Sequence, residues 1–408
     1  MKSIMKKFVT ALTALTLMTA VCFSGASAAT AAAIYSADAL FTSRDLTQTA
    51  DVSGATRYTV TDGQEIRITA AGVYVLTGTA SNVTVYVEAD EDDKVQLVLE
   101  GLNVTNSNFP VIYAKTADKV FVTVSGDSQL AVTGTFAADG STNTDGVIFS
   151  KCDLVLGGTA TLTVTSTANG IVGKDDLKIT GGTYAISASS KAIQANDSIR
   201  IADGEIYLAA GTDGLHAENE DDTSLGYIYI GGGTLNIQAG DDGIHATSVV
   251  QIDDGSISIK AAEGIEGTYI QLNGGTISIQ ASDDGINAAQ KSRAYTATIE
   301  INGGDITVAM GAGDTDGIDS NGNIIVNGGT VNVTGSSAFD YDGSAQYNGG
   351  TLIVNGQQVS AIPNQMMGGG MKNGGMKNGG MMNGGWGNGP YGNSGFGGFG
   401  GGHGGRGW

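Results

Sequence analysis

Between about residues 40 and 359 the chain alternates apolar and polar positions in short runs, such as residues 73–76, 83–87, 95–99 and 120–124, separated by Gly, Asn and Asp. Period-two alternation in β-branched residues, punctuated by turn formers, predicts short strands with one buried face. No run carries the 3.6-residue period of an amphipathic helix of useful length.

Alignment on the Gly-Gly or Asp-Gly pairs exposes a repeat. The second glycine falls at Gly158, Gly182, Gly204, Gly233, Gly255, Gly275, Gly304, Gly329 and Gly350, and the short steps define a unit of about 22 residues. One apolar-x-apolar strand precedes each pair, as in Leu177 and Ile179, and another follows it, as in Tyr184 and Ile186. A third apolar column stands at Ile171, Ile193, Leu215, Ile244, Ile265, Ile286, Ile318 and Phe339. Three strands per unit predict an all-β fold, a single-stranded, right-handed parallel β-helix whose strands pair with their equivalents one unit on, at about 4.8 Å. A β-sandwich fits less well, because equivalent strands recur at one spacing and not as hairpins. A lone unit cannot bury its apolar face, so the ends need covers. The leader and the less regular residues 41–130 are expected to cover the first.

The flanks differ from the array. Residues 1–28 read as a cleaved signal peptide, with lysines at 2, 6 and 7, an apolar stretch and a small-x-small site ending at Ala28. That predicts an extracellular or cell-surface protein with no membrane span. Residues 29–39 form an alanine-rich leader, 40–359 the array, and 360–408 a glycine-rich tail; neither flank is expected to build a core. The tail carries Lys372, Lys377 and Arg406 without an acid, so it could dock on wall polymer, self-associate or act as a spacer. Beyond the signal only Cys152 remains, which excludes an internal disulfide.

Glycine at 65 of 408 residues and charged residues at 15% are unlike a helical domain, while 41% apolar content argues against wholesale disorder. A net charge of −21 disfavours nucleic acid and anionic membrane as partners. Its acids are also ordered by the repeat. One position before the third-strand glycine stand Asp213, Asp242, Glu263, Asp284 and Asp316. Asp319 occupies the position two after that glycine, and Asp241 and Asp283 add further carboxylates. Stacked carboxylates about 4.8 Å apart repel one another, and calcium takes six to eight oxygen ligands of the kinds that Asp-Gly turns offer. These eight acids are therefore the candidate Ca2+ ligands, although Asp-Gly is also ordinary turn chemistry. His216 and His245 are expected as exposed ladder neighbours and not as ligands.

The runs Leu40-Phe41-Thr42-Ser43-Arg44-Asp45-Leu46, Gly72-Val73-Tyr74-Val75-Leu76-Thr77-Gly78 and Ile148-Phe149-Ser150-Lys151-Cys152-Asp153-Leu154, with the Asp-Gly-Ile-x-Ala repeats, resemble the bacterial carbohydrate-binding β-helix family across about residues 40–356. That resemblance implies a polysaccharide-lyase-like fold, calcium, and binding of polygalacturonate or cellulose. The expected function is a non-catalytic, exported binder of acidic glycan. Alternatives are a calcium-dependent uronate lyase, with Lys191 as the candidate base unless it merely pairs with Asp213, and a structural or adhesive surface protein. No Gly-x-Ser-x-Gly elbow, P-loop or dinucleotide fingerprint is present.

Two long steps locate a candidate glycan site. Insertions at about residues 218–227 and 289–298 leave the same point of their units, so they are expected about 14 Å apart as walls of a groove. Tyr227 and Tyr295 would offer ring faces and Lys291 and Arg293 would pair with uronate. Tyr207, Tyr229 and Tyr269 are further tyrosines at exposed-parity positions.

Overall fold

A computed structural model describes residues 32–312 and 315–364. The signal segment and nearly all of the glycine-rich tail lie outside the described residues. What is described is all-β apart from one short helix, Ala37–Leu40, with strands in one 24-stranded and one 12-stranded sheet. Pairing between the named strands is parallel except at Thr351–Val354, where Gln357–Val359 turns back antiparallel over the last edge.

Three ladders emerge from the repeat. The first joins strands preceding the glycine pair, such as Asp176–Ile179 and Ser198–Ile201. The second joins those that follow it, such as Thr183–Ala188 and Glu205–Ala210. The third is the 12-stranded sheet, in which Ile171, Ile193, Leu215, Ile244, Ile265, Ile286, Ile318 and Phe339 pair successively in that order. All eight are fully buried, as are Leu177, Ile179, Ile199 and Ile201 of the first ladder. Full burial of each such side chain contributes roughly 1.5–3 kcal/mol, which only neighbouring units can provide.

Two kinds of glycine make the stack fit. Those at the corners, from Gly158 to Gly350, all have positive φ. The third-ladder glycines are needed for space instead: a Cβ on Gly285 would lie 2.3 Å from the Gly317 carbonyl oxygen and 2.4 Å from Val308 Cγ1.

The N-terminal cover differs from expectation. Residues 56–132 are themselves members of the ladders; the long strand Lys94–Asn106 pairs with Lys119–Gly126 along one half and Ser128–Val132 along the other. The leader does not cap the end but lies along the flank of the first ladder. Gln251 receives the Tyr35 N–H at 2.7 Å and donates to the Tyr35 carbonyl at 3.0 Å, so a side-chain amide replaces a strand partner. Leu40 and Phe41 join Tyr227, Tyr229 and Val249 in a second apolar cluster. Farther along, Lys178 Nζ donates at 2.8 Å to both the Leu40 carbonyl and Asp45 Oδ2. Gln48 accepts from Gly158 N–H at 2.8 Å. The leader, through Ile34 and Tyr35, packs against the same cluster, which its alanine-rich sequence did not suggest.

Candidate functional site

The outer face of the third ladder carries the ionisable groups. In register, Gln194, His216, His245, Glu266, Asn287, Asp319 and Asp340 form one row. The acids preceding the glycines form the adjoining row. Geometry divides this face into two halves.

In the first half the acids have histidine or lysine side chains beside them. Asp213 Oδ2 lies 2.8 Å from His216 Nδ1 and 3.9 Å from Lys191 Nζ. His245 Nδ1 lies 2.6 Å from Asp242 Oδ2 and 2.9 Å from Glu266 Oε2, and Lys291 Nζ is 2.7 Å from Glu266. Burial alone would lower the His245 pKa, but its hydrogen bonds to Asp242 and Glu266 raise it to about 9. Burial alone would raise Glu266, yet hydrogen bonds from His245 and Lys291 bring it down to about 2. His216 and His245 are buried, which corrects the expectation of exposed neighbours. The signal was present in the recurring spacing of Asp213-Gly214-Leu215-His216 and Asp242-Gly243-Ile244-His245. Asp242, His245 and Glu266 also have the mutual spacing of a metal-binding group.

In the second half the acids face one another. Burial, followed by the charge of Glu266, raises Glu263 to about 7. Asp284 is raised to about 6 by burial, with Asp283 and Asp316 adding to the effect. Asp319 is raised to about 7 by burial, then by Asp284, Asp316 and Asp340. Asn287 donates to Glu263 at 3.2 Å while its own Oδ1 is buried without a hydrogen-bond partner. An oxygen-only, carboxylate-rich set with an unused amide oxygen fits a hard cation. Asp241 and Asp283 stand exposed beside the row. Of the eight predicted metal ligands, Glu263, Asp284, Asp316 and Asp319 lie in this half, spread over three successive units, whereas Asp213 and Asp242 already face histidines.

The expected groove between the insertions is not formed. Ser292 Oγ donates to the Thr223 carbonyl and Arg293 N–H donates to Thr223 Oγ1 at 3.3 Å, so the loops meet where a gap of about 14 Å was predicted from strand spacing. Thr268 Oγ1 anchors one loop by accepting from the N–H groups of Lys291 and Ser292. Tyr227 is buried and stacks on Tyr35 with ring centroids 4.3 Å apart. Tyr295 packs against Tyr269 in the same cluster, at 6.1 Å. Lys291 and Arg293 are both exposed, but Lys291 is engaged by Glu266. Sequence parity made these tyrosines outward-facing, and the leader covers that outward face.

Parallel stacked repeats with an acidic outer ladder define an all-β repeat protein with one acidic face. Residues 62–315 and 265–361 match the family described as carbohydrate-binding domain-containing protein, and the chain belongs to that family. A curated relative of the same description from Acetivibrio thermocellus is 30% identical over 128 residues, covering 30% of this chain and 45% of the relative. The match therefore spans about half of that relative. The solved polysaccharide lyase-like protein from C. thermocellum, a gadolinium derivative, is 27% identical with a TM-score of 0.47, covering 55% of this chain and 93% of that one. Among the described residues no helix is long and apolar enough to cross a membrane.

Proposed function

We propose that the protein is an exported, non-catalytic binder of acidic polysaccharide such as polygalacturonate, that calcium serves as its cofactor, and that its stack is a right-handed, single-stranded parallel β-helix. The observation that carries this reading is the second half of the acid ladder, where Glu263, Asp284 and Asp319 share one face without a cation beside them and are raised to about 7, 6 and 7, first by burial and then by neighbouring carboxylates. Glu263, Asp284, Asp316 and Asp319, with Asn287 Oδ1, would hold the ion. Calcium supplies positive charge there that attracts uronate carboxylates. Family membership supports the polysaccharide partner. The β-helix reading is supported by the three parallel ladders, in which each unit hands every strand to its equivalent in the next. Lys191 lies beside Asp213 and serves as a charge partner in this reading, not as a base.

Affinity electrophoresis in polygalacturonate, with millimolar calcium or chelator, tests it. Retardation should require calcium and be lost in the double variant Asp284→Asn with Asp319→Asn. Equal mobility of the wild-type chain with and without calcium would overturn the proposal.

A further inference from the structure

The residue that follows each first-ladder strand belongs to a column that glycan and cation binding do not use. Ile252, Leu272, Ile301, Val326 and Tyr347 pair in succession, so Asp253, Asn273, Asn302, Asn327 and Asn348 stand one behind another at the corner. Asn273 Nδ2 donates to Asp253 Oδ1 at 2.7 Å. Asn302, Asn327 and Asn348 each donate to the Oδ1 of the asparagine one unit earlier, all at 2.8 Å. A carboxylate can only accept, so Asp253 sets the direction of every amide in the column. Asn273, Asn302 and Asn327 therefore both give and receive, and all three are half-buried. Asn348, the last, is exposed and only gives.

Each of these four asparagines is followed by two glycines, and the fold requires both. The second, at Gly275, Gly304, Gly329 and Gly350, has φ between 77° and 87°. The first has no room for a side chain. A Cβ on Gly274, Gly303, Gly328 or Gly349 would lie 2.4, 2.5, 2.5 or 2.6 Å from the carbonyl oxygen of Asp253, Asn273, Asn302 or Asn327 respectively. Stacking thus forces the pair Asn-Gly at every such corner, the asparagine for the column and the glycine for space. Asn-Gly is a chemically fragile pair, because glycine carries nothing that shields its nitrogen and its backbone freedom lets that nitrogen reach the preceding side-chain carbon.

We propose that Asn348 is a site of spontaneous deamidation and that the amide column protects its three equivalents. The Gly349 nitrogen attacks Cγ of Asn348, the new N–Cγ bond forms as the bond from Cγ to Nδ2 breaks, and the Gly349 amide proton departs with the ammonia. Water then opens the succinimide at one carbonyl or the other, giving aspartate or isoaspartate. At Asn273, Asn302 and Asn327 the same attack has to pull the amide away from a partner on each side, whereas at Asn348 one hydrogen bond is given up. The product does not fit the column. A carboxylate at position 348 cannot donate, so Asn327 Oδ1 loses its donor and meets a negative oxygen instead. An acid suits the Asp253 end, where only acceptors are needed, and not this one. The change falls beside Thr351–Val354, the strand that carries the final antiparallel turn.

The test holds the full chain in mildly alkaline buffer at physiological temperature and follows the four sites by peptide mapping, which reads the amide-to-acid mass change and separates isoaspartate from aspartate. All four share the sequence Asn-Gly-Gly, and a parallel incubation in denaturant supplies the intrinsic rate of each. Normalised to that rate, folded Asn348 should deamidate about fivefold or more faster than Asn273, Asn302 or Asn327, the factor that one hydrogen bond of ordinary strength provides. In Asn348→Ala the column ends at Asn327, which should then lose protection by a similar factor while Asn273 keeps its own; thermal melting confirms that this exposed substitution leaves the chain folded. Equal normalised rates at the four sites of the wild-type chain would overturn the proposal. So would an Asn327 that is as durable in Asn348→Ala as in wild type, because protection would then not come from the column.

Discussion

The imidazoles of His216 and His245 stack with ring centroids 4.5 Å apart and planes 19° from parallel, on adjacent strands of the acid ladder. Each has a carboxylate from the residue three before it within 2.8 Å of Nδ1. The pair lies in the half of the ladder where the acids face histidine and lysine side chains, ahead of the half where they face one another.

A pH dependence follows from His245. Its folded pKa of about 9 exceeds the ordinary 6.5, so its contribution to stability is complete below about pH 6.5 and is lost as pH rises through 9. Asp242, Glu266, Lys291 and His216 are the groups that face it. Chemical denaturation of His245→Gln should show a smaller decline between pH 6.5 and 9 than wild type. Identical profiles would show that this imidazole does not carry the linkage.

The second half of the ladder predicts a different window. Glu263, Asp284 and Asp319 have folded pKa values above their ordinary range, so the folded state holds protons that the unfolded chain releases. Stability in chelator should therefore fall as pH rises from about 4 to about 7, and millimolar calcium should remove the fall. Thermal melting at pH 5 and pH 8, with calcium or chelator, measures both effects. A melting temperature insensitive to calcium at pH 8 would refute cation binding here.

The segment that follows the leader, residues 40–48, should matter to stability. Asp45 and Lys178 form a 2.8 Å pair with side chains only 1% and 6% exposed. Asp45→Asn leaves the ammonium group without its anion and should cost roughly 3–5 kcal/mol in urea unfolding, whereas a change under 1 kcal/mol would mean that residues 40–48 are only loosely attached.

Stacking is tested at Gly285. Its φ is not positive, but a methyl group there meets the Gly317 carbonyl and Val308. Gly285→Ala should destabilise by about 1–3 kcal/mol through overpacking. Gly54→Ala, with nothing within 4 Å of the added carbon, should unfold like wild type. Equal midpoints for the two would contradict the tight third-ladder contact.

The sequence by itself determined the strands, their parity and their partners. Alternation decides which side chains are buried, and a fixed repeat forces Ile244 onto Ile265 and Ile265 onto Ile286, since any other register would expose the apolar column. The acid rows were legible for the same reason, because one position per unit maps to one line on the stack. Tertiary structure decided what covers each face. Parity marks Tyr227, Tyr229 and Lys178 as outward, but nothing in a local pattern announces that residues 32–48 will lie over them, because that contact joins segments more than a hundred residues apart. Loop direction is equally non-local: insertion length predicted two separate walls, while the Ser292–Thr223 contact brings them together. Charge balance along the acid ladder was decided the same way, through Lys291 folding back to Glu266 and His245 turning between two carboxylates. Electrostatic neighbours are set by side-chain geometry at a few ångströms, a scale that spacing along the chain does not resolve.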